Sequence, residues 1–240
     1  MTSMSHTQDR YLTHQWVLAG IASAAARFVP VPLVDDLIRD RSRRFAIART
    51  LSSHDRSFGA VELRPLYDNS RGFFGTMVGK VAALPMKLAL YPIRKLVRMF
   101  GSVRGVPLDL MRTYLMAHTV DRCLARGYFN DTAPDDHRTE QARAVRVAFD
   151  EAFDGIDWRA AKSLFSDTME QVGHWRSSTV DLARQVFASD ETDPDRLDAA
   201  ELERPSEVRR GAEKVEAMLD RPEIAKLIDD FDQRFDRALV

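Results

Sequence analysis

The chain has 240 residues, 45% of them hydrophobic and 30% charged, with a formal net charge of −1, a composition ordinary for a globular protein of one or two domains that can bury a core. Its single cysteine, Cys123, excludes an intrachain disulfide and a cysteine-built zinc site. The small net charge hides a division: residues 1–128 carry 19 Lys and Arg against 9 Asp and Glu, whereas residues 129–240 carry 16 against 27.

The first nine residues are polar and read as a disordered N-terminus, 1–10, ahead of a basic apolar module, 11–128. Residues 11–26 form the longest run without Asp, Glu, Lys or Arg. They fall short of the roughly 20 residues a membrane-spanning helix needs. A secretory signal is the competing reading of 16–26, but Asp9 offsets Arg10 and the strongly apolar part is short. Ala19, Gly20, Ala22, Ser23, Ala24, Ala25 and Ala26 suit a helix that approaches another helix or a bilayer closely. Val29-Pro30-Val31-Pro32 ends it, because each proline drives the residue before it out of the α region.

A second helix is predicted over 33–51, with Asp35 and Asp36 in its first turn, where carboxylates oppose the positive end of the helix dipole. Leu33, Val34, Leu37, Ile38, Phe45, Ala48 and Leu51 give it a buried face. Residues 52–69 hold turn formers and read as a connection. Gly72, Gly75 and Gly79 then alternate with Phe73, Phe74, Met77 and Val78 in a close-packing pattern of small residues.

Residues 72–107 contain no acidic residue and are the most distinctive stretch of the chain. At 100° per residue, Lys87, Arg94, Lys95 and Arg98 share one sector of a helix over 86–100 with Tyr91. Leu88, Ile93, Leu96 and Phe100 belong to the wide apolar arc opposite. Such a helix can lie in a membrane interface, its cationic heads on anionic headgroups and its stems in apolar surroundings. A core helix with a solvated Lys/Arg edge fits the same pattern. Pro92 predicts a kink or a break, and Pro85 a start.

Pro107 and Asp109 open the next predicted helix and Gly127 closes it. Its few polar positions make it central to the core. Residues 129–138, polar and proline-containing, mark the boundary to an acidic helical module, 129–240. There, helices are predicted over 139–153 and 158–188, then an acidic linker over 189–205. The chain ends in a hairpin broken at Asp220-Arg221-Pro222, with Asp229, Asp230, Asp232 and Asp236 on its outer face. No run alternates as a strand does. The expected fold is therefore an all-α, multi-helix bundle.

Chemistry is sparse. Asp35, Asp36 and Asp40 spell a DDxxxD string on one helix, which in all-α isoprenoid enzymes would hold magnesium and, through it, a diphosphate. Such an enzyme needs a second acidic cluster opposite, and the N-terminal half offers only scattered carboxylates such as Asp109 and Asp121. Helix capping and Asp–Arg pairs four apart, 35 with 39 and 40 with 44, account for the same residues. Asp135-Asp136-His137 falls in a presumed loop, and no HExxH, phosphate loop or GxSxG elbow is present. Arg39, Arg41, Arg43 and Arg44 are interleaved with aspartates and accompanied by no nucleic-acid motif. They read as a solvated or lipid-facing edge rather than a nucleic-acid site.

The small-residue helix, Val29-Pro30-Val31-Pro32, Asp35, the helix end Ala46-Ile47-Ala48-Arg49-Thr50-Leu51 and the later Arg126-Gly127-Tyr128-Phe129 together resemble the EcsC-like and GTPase-associated families of bacterial helical proteins. The resemblance spans residues 16–129 and implies a membrane-associated helical domain with no catalytic residues to carry over. The charged second helix and the acidic C-terminal half depart from it.

The expected function is accordingly that of a non-enzymatic scaffold or adaptor, without cofactor, on the cytoplasmic side of a bacterial membrane. Lys87, Leu88, Ile93, Arg94, Lys95, Leu96, Arg98 and Phe100 would meet an anionic membrane surface or a hydrophobic protein partner. The acidic half could instead dock on the chain's own basic half. The alternatives are a magnesium-dependent isoprenoid or phospholipid enzyme and a soluble protein–protein scaffold.

Overall fold

A computed structural model describes residues 2–28, 34–68, 106–158, 181 and 206–240. Within them are six α-helices and no strand: α1 (Thr2–Ala25), α2 (Val34–Ser53), α3 (Val106–Ala125), α4 (Asp135–Asp154), α5 (Ser206–Leu219) and α6 (Pro222–Ala238). Short 3₁₀ turns follow α1 at Ala26–Phe28 and precede residue 69 at Arg64–Leu66. The expectations for 72–105, for most of 158–188 and for 189–205 lie outside the described residues.

α1 begins at Thr2, nine residues before the predicted start, so its first turns are helical rather than disordered. Residues 2–10 contain neither glycine nor proline, and nothing in them stops a helix from propagating toward the N-terminus. Toward its other end α1 closely approaches α3. A Cβ added to Gly20 would stand 3.1 Å from the Leu110 carbonyl oxygen of α3, which explains why this face is built from small residues. Ala19, Ala22, Ser23, Ala24 and Ala25 are all buried there.

α1, α2 and α3 form the central layer, each packed on the other two. Trp16 Nε1 donates to Thr50 Oγ1 at 2.9 Å, pinning α1 to α2 in the interior. α3 is buried as its composition predicts, with Leu110, Met111, Leu115, Met116, Ala117, Val120 and Leu124 in the core. Its end is a Schellman turn: Gly127 adopts φ +69°, the Tyr128 amide bonds the Cys123 carbonyl at 2.9 Å, and the Gly127 amide bonds Leu124 at 3.0 Å.

The two arms of the terminal hairpin pack on different helices. α5 packs on α1, while α6 packs on α4. Phe231 stands edge to face with Phe149 at 5.5 Å between centroids, and both are fully buried. The resulting hydrophobic core is one cluster that includes Leu18 and Ile47 before residue 128 and Phe149, Val215 and Phe235 after it.

Residues 129–138, where the charge changes sign, are fastened at both ends. Phe129 is buried, and the buried Arg138 guanidinium bonds Glu62 at 2.8 Å while lying over the Phe58 ring. Asp131 accepts the Ser57 amide, the Ser57 hydroxyl and Arg56, which holds its carboxyl below the ordinary range. The segment thereby ties α3, the 54–63 connection and α4 together.

Candidate functional site

The eight residues singled out for membrane or partner contact, Lys87, Leu88, Ile93, Arg94, Lys95, Leu96, Arg98 and Phe100, lie outside the described residues. Charged chemistry within the described residues gathers in two places, a junction of arginines and aspartates among α2, α3 and α4 and a ladder between α3 and α6.

The junction contains the DDxxxD string. Arg39 of α2 takes both Asp35, at 3.1 Å, and Asp36, at 2.7 Å, and its Nε lies 3.6 Å from Asp109 at the start of α3. Asp109 also receives Arg27. Asp40 faces Arg43, three residues on, at 3.4 Å. Asp35 and Asp36 are therefore engaged with a cation, and no group of three or more His, Cys, Asp or Glu side chains among the described residues is placed to share a metal ion.

Two of the α2 arginines do not form the solvated or lipid-facing edge expected of them. Arg43 is only 3% exposed and Arg39 12%. The reason is the helix itself: Ser42 and Arg43 share the inward side with Ile38, Phe45 and Ala46, so α2 buries a wider arc than its apolar residues alone define. Burial pushes the Arg43 guanidinium down to about 10, with Asp40 opposing that shift and Arg112 and Arg146 adding to it. It stays cationic at neutral pH. Arg112 of α3 and Arg146 of α4 both pair with Asp150, and Arg112 also covers the rings of Phe149 and Phe153. Arg146 closes the group by donating to the Leu66 carbonyl at 2.7 Å.

The ladder has the period of a helix on both sides. His118, Arg122 and Arg126 stand four apart on α3, and Asp232 and Asp236 four apart on α6. His118 meets Asp232 at 3.1 Å, Arg122 meets Asp232 and Asp236 at 2.9 Å each, and Arg126 meets Asp236 at 2.7 Å. Asp232 and Asp236 thus turn toward α3 and leave the hairpin's outer face to Asp229 and Asp230. His118 stacks on Tyr114, which stands edge-on to the buried Trp16. Tyr114 is itself pushed up to about 12, first by burial and then by Asp220, Asp232 and Asp121. A second seam contact joins His14 of α1 to Glu216 of α5.

The remaining reactive groups fit structural roles. Cys123 is buried and its thiol is pushed up to about 12 by that burial, far from a thiolate nucleophile at neutral pH. Asp135, Asp136 and His137 are exposed in the first turn of α4 rather than in a loop. Of these contacts the Asp35–Arg39 pair is the one the sequence anticipates, whereas the burial of Arg43 and the ladder escape it. The matched four-residue spacings of 118, 122, 126 and 232, 236 were the only signal for the ladder. For Arg43 the signal was its place between Ser42 and Phe45 on an otherwise apolar arc. No helix among the described residues is long and apolar enough to cross a membrane. Comparison with known proteins returns no matching family model, no matching curated protein and no matching solved structure.

Proposed function

We propose that this chain is a non-enzymatic helical scaffold or adaptor that associates with an anionic membrane surface through the basic amphipathic stretch 86–100. The observation that carries the reading is the acid-free run 72–107, whose Lys87, Arg94, Lys95 and Arg98 fall in one helical sector opposite an apolar arc. The ladder adds support. Asp232 and Asp236 of the acidic half are already held by Arg122 and Arg126, so these two carboxylates are spent on α3. The resemblance to EcsC-like helical proteins points the same way. Nothing among the described residues favours the magnesium-dependent alternative, whose Asp35 and Asp36 bond Arg39.

Flotation of the full chain with vesicles tests the proposal. We expect co-flotation with vesicles rich in phosphatidylglycerol, weak flotation with phosphatidylcholine vesicles, and loss of the difference when Lys87, Arg94, Lys95 and Arg98 are all changed to Glu. Each basic residue near an anionic surface contributes about 1 kcal/mol, so removing four is a large effect. Indifference of the native chain to both vesicle types would sink the reading.

A further inference from the structure

We draw no further inference here: the strongest candidate, the side-chain cluster at the seams of the terminal hairpin where His118 of α3 meets Asp232 of α6 and His14 of α1 meets Glu216 of α5, carries nothing, because a neutral imidazole N–H donates to a carboxylate as a charged one does and both contacts belong to the seams already described.

Discussion

Phe231→Ala is the sharpest test of whether the acidic hairpin and the basic half form one cooperative unit. Phe231 is fully buried, stands edge to face with Phe149, and lies beside Phe235. Truncating such a phenylalanine costs about 3–5 kcal/mol through lost burial and the cavity left behind. With a urea dependence of about 2.5 kcal/mol per molar, that lowers the unfolding midpoint by about 1.5 M. The probe should sit in the other half. Trp16 is buried on α1, bonded to Thr50 and next to Tyr114 and His118, so its fluorescence reports on α1, α2 and α3. Replacing Trp158 and Trp175 with Phe leaves it as the sole tryptophan. The single core cluster predicts that Trp16 fluorescence and far-ultraviolet circular dichroism shift together in Phe231→Ala. A Trp16 transition that stays in place while the circular dichroism splits would refute a shared core.

Two further substitutions probe the contacts that set the architecture. Gly20→Ala places its methyl group 3.1 Å from the Leu110 carbonyl oxygen, a backbone atom that cannot swing away. Overpacking there should cost about 1–3 kcal/mol and outweigh the roughly 1 kcal/mol by which alanine favours a helix, which thermal unfolding measures as a lower midpoint. In the ladder, Asp236 is held below the ordinary carboxylate range by its hydrogen bond from Arg126, helped by Arg122 and opposed by burial. A depressed folded-state pKa contributes stability that is present above the unfolded value of about 3.9 and is lost as pH falls from there toward the folded value. Asp236→Asn should therefore lower the thermal midpoint at pH 7, and the gap from the native chain should close below about pH 4. A gap that stays constant with pH would show that the carboxylate charge contributes nothing there.

The all-α class was legible because helix signals are local. Periodicity located α3, and α6 closely matches its predicted arm. Gly127 and Pro222 marked their boundaries in the expected places, since a positive φ and a missing amide are properties of single residues. The small residues of α1 announced a close contact, which proved to be with α3. The division of charge between residues 1–128 and 129–240 was also fixed by the chain alone. What only the tertiary structure decided is which charges meet. Asp232 and Asp236 looked outward on their own helix and turn toward His118, Arg122 and Arg126 of α3, which repeat at the same interval. Arg43 looked like one of four surface arginines and is buried because three helices converge on its side of α2. A helical period is set by neighbours three and four residues away, whereas the partners of the ladder's charges stand on a helix more than a hundred residues distant.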